Sequence, residues 1–547
     1  MINLTATATE TKSCPIERAT GTWNYSSSQI PLIHIVDEDD RLLLKSCDAE
    51  WYRVLYYLPD KDYREVAAQY YDALYHFNQA EALRRKEKEW NSDESWPETK
   101  EEARLRLLFD RATMDKPASV IHEEDFATPP RGIDPASVAP GIVPDRLGGK
   151  KPKCFFALFK AFIGTTLMGF PAEPEHVHLL LSSNLPFARV CGFVPKGEKS
   201  QYWYKHVPSL RKLEQFDLIM TRYGLWDKLK WEEVLKNIKA DIIGKENELV
   251  GDTTHYHAYS SFETVRYVDD KGEEQRKSQS KVTKKCHCDN KEGCADPWEL
   301  ADDGAGTIVK SSRKMIWGHK ASVLGLPRQG IPLDAVAIAD SATHDGETLL
   351  PHVERLFECL PVVKAWIDTV LYDSACDNQT LKEAFEKELQ IGLKTSLNPR
   401  RKKAVTDNLP RGMEKITPYG DLICKGGYEM DYKGIRYEAE KFIYQAPVDE
   451  NNVSVCIGCM YKMACCPHAN IGRTVNISFD VLPHIDKQDP PMAKRFKAIM
   501  MRRPSIERMI KRLKCDLSDD RLSKRGNSSF QAYLDKTMIA FHILLRN

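Results

Sequence analysis

The sequence predicts an α/β protein: a mixed sheet flanked by helices, preceded by helical regions and interrupted by a polar, partly β insertion. Three observations carry this. Apolar residues recur at helical spacing through the first part of the chain. Beyond Glu248, short apolar runs alternate with amphipathic stretches in the order strand, strand, strand, helix, strand, helix, strand, the pattern of a sheet of mixed direction. A polar, Cys-containing stretch then separates the last strand from a basic helix and an apolar one.

The elements follow in order. Residues 1–113 form a helical N-terminal region, with Tyr56, Tyr57, Val66, Tyr70, Ala73 and Leu74 at helical spacing among many charges. Residues 114–153 hold Pro117, Pro129, Pro130, Pro135, Pro140 and Pro144, a density of breakers that marks a linker. Residues 154–245 are helical again, with a stop and fresh start at Val207-Pro208-Ser209-Leu210. The sheet region, 246–396, opens with the apolar run Leu249 to Thr254 around Asp252, then makes a polar excursion over 269–310. Met315 to Leu326 and Leu333 to Ala339 are strands joined by a turn at Arg328-Gln329-Gly330, and Gly346 to Leu360 is a helix. Ala365 to Tyr372 is a strand ending at Asp373, followed by a helix over Thr380 to Leu389 and a strand over Ile391 to Ser396. Residues 397–490 form the insertion, and 491–547 carry a basic helix from Met492 to about Cys515 and an apolar one from Phe530 to Leu545.

Composition narrows the function. The 547 residues hold 79 Lys plus Arg against 79 Asp plus Glu, so no global charge draws the chain to nucleic acid or to an anionic membrane, and such binding must come from local basic runs. The most apolar stretch, Cys154 to Phe170, is shorter than the roughly 20 residues of a membrane span and contains Lys160, so it reads as a buried helix. The N-terminus lacks a basic segment followed by an apolar one, which leads to the expectation of a cytoplasmic protein without membrane partners.

Three carboxylates stand where an α/β sheet collects ligands: Asp252 and Asp373 at strand ends and Glu507 on a helix. Such a set can hold hard divalent cations for phosphoryl transfer. Singly, each is more simply a turn or cap residue, and only the set is informative. Arg503 precedes Glu507 by four residues and Lys514 follows by seven, helical multiples that place the three on one face, though a solvated charged helix has similar spacing.

These residues resemble the bacterial insertion-sequence DDE transposases, whose catalytic domain is ribonuclease-H-like. Val250-Gly251-Asp252-Thr253-Thr254 is similar to the family's first catalytic strand, Trp317-Gly318-His319-Lys320 to its second strand, and Leu371-Tyr372-Asp373-Ser374 to its second catalytic strand. Ala342-Thr343-His344-Asp345 resembles the segment that opens the first core helix, and Arg503-x3-Glu507-x6-Lys514 matches the end of the family's Tyr-Arg-Glu-Lys signature, with Met500 in place of the tyrosine. Asp345 competes with Asp373 for the second ligand position, and Asp340 does so more weakly; the family order prefers Asp373.

The resemblance implies a DNA transposase that binds the terminal inverted repeats of its transposable element and recombines them with target DNA as a homodimer. It implies Mg²⁺, with Mn²⁺ able to substitute, on Asp252, Asp373 and Glu507, and phosphate contacts from Arg503, Lys511, Lys514, Lys320 and the run Arg400, Arg401, Lys402. Members with a long insertion before the catalytic helix often pass through a hairpin intermediate. A domesticated DNA-binding derivative without catalysis, or a metal-dependent nuclease without strand transfer, are the other readings.

Fifteen cysteines in a reducing compartment point to metal ligands or core residues rather than disulfides. Cys456, Cys459, Cys465 and Cys466, with His468 close by, suffice for a structural zinc or an iron–sulfur cluster, and incidental buried cysteines are the plain alternative. Cys286-His287-Cys288-x5-Cys294 is a weaker second cluster.

Overall fold

The computed structural model describes residues 50–91, 154–194, 202–268, 274–280, 282–284, 299–300, 302, 304–311, 314–398, 403–469, 471–483, 485–487 and 489–546. The linker at 114–153, the run Arg400 to Lys402 and the cluster Cys286 to Cys294 lie outside them.

Glu50–Tyr57 (α1) and Arg64–Asn91 (α2) pack with Phe155–Leu167 (α3), Pro174–Ser183 (α4), Leu185–Cys191 (α5), Leu210–Arg222 (α6) and Leu225–Lys239 (α7). The apolar helix α3 is buried along almost its whole length. Its Lys160 stays inside because its ammonium reaches the Val190 carbonyl at 3.5 Å and lies 4.7 Å from the Phe156 ring. Asn184 starts α5 by accepting the Phe187 amide at 3.0 Å. No described helix is long and apolar enough to cross a membrane.

The central sheet is mixed. Glu248–His257 (β1) leads, through the hairpin Phe262–Val268 (β2) and Glu274–Ser280 (β3) and the short pair Val282–Lys284 (β4) and Glu299–Leu300 (β5), to Gly306–Ser311 (β6). Lys314–Leu326 (β7) runs antiparallel to β1 and pairs with β6 along its first half and Ile331–Ala337 (β8) along its second. Asp345–Cys359 (α8) and Pro361–Lys364 (α9) lead to Thr369–Tyr372 (β9), parallel to β1; Gln379–Ala384 (α10) then leads to Gly392–Thr395 (β10), parallel to β9. The sheet order is therefore β10-β9-β1-β7, with β6 and β8 beyond.

The insertion contributes Met413–Ile416 (β11), Leu422–Cys424 (β12), Asp431–Arg436 (β13), Lys441–Gln445 (β14), the single turn Lys462–Cys465 (α11) and Thr474–Ser478 (β15), around a small core of its own. The chain then returns to the sheet as Lys494–Met500 (α12) and Ser505–Lys511 (α13) and closes with Asn527–Leu544 (α14). The last helix is packed on both sides, against α3 and α7 and against β8.

Three expectations change. The basic helix is not continuous: Pro504, which has no amide hydrogen to donate and crowds the preceding turn, separates α12 from α13. A π-turn at Arg512–Asp516 shifts the phase again, so Lys514 does not share a face with Glu507. Asp252 is the fifth residue of a ten-residue strand rather than its end, because β1 continues to His257 on the support of β7 alone.

The buried His542 on α14 gives the fold a dependence on acid. Its Nε2 donates to the Pro332 carbonyl at 3.0 Å and its Nδ1 accepts from Asn237 at 3.1 Å. Burial pushes its pKa down to about 3, so the folded chain keeps the ring neutral while the unfolded chain protonates it near 6.5. Its contribution is present above pH 6.5 and is lost as the pH falls, at up to about 1.4 kcal/mol per pH unit. Urea unfolding between pH 7 and pH 5 is expected to show this slope weakened in His542→Gln.

Candidate active site

The site begins with strand register. β1 and β9 pair Glu248 with Thr369 and Val250 with Leu371. Carried two residues further, that register sets Asp252 opposite Asp373, just past the end of β9, where parallel strands present their ligands.

Asp252 is 18% exposed. Its Oδ1 accepts the Thr253 amide at 2.8 Å and its Oδ2 accepts Arg503 Nη2 at 2.8 Å. Burial pushes its pKa up to about 6, against the pull of Arg503 and the Thr253 amide, and the nearby Asp373 and Asp345 raise it further. Asp373 Oδ1 accepts the Ala375 amide at 2.9 Å, which starts the turn Ser374–Cys376.

Asp345 stands beside this pair but is already engaged. Lys320 forms an ion pair with its Oδ1, and Thr253 Oγ1 donates to its Oδ2 at 3.1 Å. Lys320 also donates to the Thr343 carbonyl at 2.7 Å, so this lysine, expected at DNA, is turned inward. Lys320→Met is expected to lower stability by about 2 kcal/mol, the loss of charged hydrogen bonds, read as a fall in thermal midpoint.

The helix bearing Glu507 is held to β1 by two adjacent arginines. Arg502 pairs with Glu248 and Arg503 with Asp252, two carboxylates four residues apart on one face of the strand. Close approach is possible because position 325 on β7 is glycine: a Cβ there would stand 2.5 Å from Met509 Sδ. Glu507 itself is 66% exposed, with its Oε1 3.7 Å from Arg503 Nη1. Arg503 thus bridges the first and third predicted carboxylates. Lys511 is exposed, and Lys514 donates to the His255 carbonyl.

The oxygen donors of Asp252 and Asp373 suit a hard divalent cation; burial is the main reason the Asp252 pKa is raised, and the smaller repulsion from Asp373 and Asp345 is of the kind a cation relieves. Among the described residues, no three His, Cys, Asp or Glu side chains stand together closely enough to hold a metal ion as they are placed. Sequence reasoning missed two groups at this site, the buried Tyr372 and Cys376, whose pKa values burial and the three aspartates push up. Nothing in their sequence neighbourhood marks them except adjacency to Asp373.

In the insertion, Cys456, Cys459, Cys465 and Cys466 line one cavity, joined by Cys424 from the end of β12. Cys424 has no partner nearby in sequence, which is why the spacing did not reveal it.

No protein-family model matches the chain, and no curated protein sequence matches it. Among solved structures, the chain is similar to a cryo-EM structure described as a piggyBac transposase synaptic complex with hairpin DNA, at 10% sequence identity and a TM-score of 0.28. The similarity covers 71% of this chain and 65% of that one, so the chain spans a little under two thirds of the neighbour's length.

Proposed function

We propose that the chain is a DDE transposase with a ribonuclease-H-like core, which cuts DNA at the ends of its insertion sequence and joins the freed strand to a new site. The observation that carries this reading is the register that brings Asp252 beside Asp373 on adjacent parallel strands. The sheet, with antiparallel strands on one side of β1 and parallel strands reached through helices on the other, supports the same reading.

Asp252 and Asp373 would hold the metal, with Glu507 completing the set from α13. A hard divalent cation, Mg²⁺ or Mn²⁺, supplies nucleophile activation and stabilises the leaving oxygen when bound. In the first step water attacks the phosphorus, the bond to the 3′ oxygen breaks, and a 3′-hydroxyl and a 5′-phosphate result. In the second, that hydroxyl attacks another phosphodiester and a new bond replaces the old. Arg503, held between Asp252 and Glu507, would orient the two carboxylates and meet a phosphate oxygen. Lys511 on the exposed face of α13 adds a phosphate contact. Two copies pairing two ends is the assembly this chemistry calls for.

The test is incubation of the full chain with Mg²⁺ or Mn²⁺ and labelled duplex carrying the inverted repeats that flank its reading frame. Cutting at the repeat ends together with joined products is expected. Cutting without joining would support a nuclease, and binding without cutting a non-catalytic derivative; either would overturn the proposal.

A further inference from the structure

The insertion has too little core for its length. Residues 397–490 gather, among those described, a cluster of eleven buried apolar side chains from Met413 to Ile485, joined by Met492 just beyond. Segments of this kind commonly depend on a staple.

The five cysteines surround a cavity of about 20 Å³, close to the volume of one water or ion. They come from two places: Cys424 ends β12, and the other four lie between Cys456 and Cys466. The Cys466 thiol hydrogen-bonds with those of Cys456 and Cys465. The backbone is drawn close to the sulfurs: a Cβ at Gly426 would stand 3.2 Å from Cys459 Sγ, and one at Gly412 would overlap Cys465 Sγ. Arg473 Nη1 donates to Cys465 Sγ at 3.0 Å and to the Cys465 carbonyl at 2.9 Å. A guanidinium on sulfur suits a site that carries negative charge.

We propose that Cys424, Cys456, Cys459 and Cys466, which line this cavity and must turn inward to converge on an ion, form a structural site for one zinc-class divalent cation, with Cys465 and Arg473 as its outer support. Binding releases the four thiol protons to solvent and leaves a tetrathiolate of net charge about −2, which Arg473 and the neighbouring Lys462 offset. The site ties β12 to the Cys456–Cys466 segment, two parts of the insertion that pack on the same small core. It is independent of the transposase reading.

The experiment is metal analysis of the full chain purified without chelator, followed by exchange with Co²⁺. About one zinc per chain and an intense sulfur-to-cobalt absorption band are expected. Cys424→Ser and Cys459→Ser are expected to reduce the zinc content to about a tenth or less, and Cys359→Ser, far from the cavity in sequence on α8, to leave it unchanged. Native protein without zinc and without a sulfur-to-cobalt band would overturn the proposal, as would iron with labile sulfide. Full zinc in Cys424→Ser would remove that residue from the site and with it the tie to β12. Because the cobalt spectrum is read on the native chain, the proposal can fail even if the variants do not fold.

Discussion

Asp252→Ala is expected to slow metal-dependent DNA cleavage by about a thousandfold or more while leaving DNA binding near its native level. A ligand that stabilises developing charge through a metal contributes several kcal/mol, and each 1.36 kcal/mol is a factor of ten in rate. Asp373→Ala is expected to match it, since the register sets the two carboxylates side by side. Asp345→Ala should cost far less cleavage, because Lys320 and Thr253 already engage that carboxylate. Comparing the three variants under single-turnover conditions decides the second ligand: loss with Asp345→Ala and retention with Asp373→Ala would reverse the assignment. Glu507→Ala is expected to fall with the first pair, and Arg503→Ala in between, as a positioning residue whose loss frees both carboxylates it bridges.

The strands were legible because their apolar runs are short and bounded by turns. Arg328-Gln329-Gly330 separates β7 from β8 as its composition suggests, and Asp373 follows β9 directly. What the sequence does not carry is long-range pairing. Asp252 reads as a strand end because the apolar run stops there, yet β7 pairs with β1 as far as His257 and keeps the strand extended. Helical spacing put Arg503, Glu507 and Lys514 on one face; Arg503 does reach Glu507, but the π-turn at Arg512–Asp516 breaks the period beyond it and Lys514 turns to the His255 carbonyl. The inward turn of Lys320 follows from Asp345, 25 residues away, reaching it across the sheet. Cys424 is invisible for the same reason: only the folded insertion brings β12 to the other thiols.

The buried ion cluster beneath the sheet carries the largest expected effect on stability. Lys230 on α7, fully buried, lies 2.8 Å from Asp227, 2.7 Å from Asp334 on β8 and 3.0 Å from Asp535 on α14. Arg355 and His352 on α8 reach Asp334 at 3.2 and 3.3 Å, so one cluster joins three helices to one strand. Lys230→Met removes the central cation and leaves Asp334 and Asp535 buried without it, at a cost of about 3–5 kcal/mol. The loss should depend on pH. Burial raises the Asp535 carboxyl to about 6 even with Lys230 beside it, so in the native chain its contribution is present below the unfolded carboxylate pKa and lost as the pH rises through about 6. Burial would also raise Asp334, but Lys230, Arg355 and His352 hold it well below the usual range, so its contribution is lost as the pH falls. Without Lys230, Asp535 takes up a proton more readily and no longer needs the ammonium. Urea unfolding of Lys230→Met against the native chain is therefore expected to show a smaller difference at pH 5.5 than at pH 8, and Asp535→Asn should restore part of the stability in the Lys230→Met background. A difference that stays constant across that range would mean that lost packing of the lysine stem, rather than uncompensated charge, sets the cost.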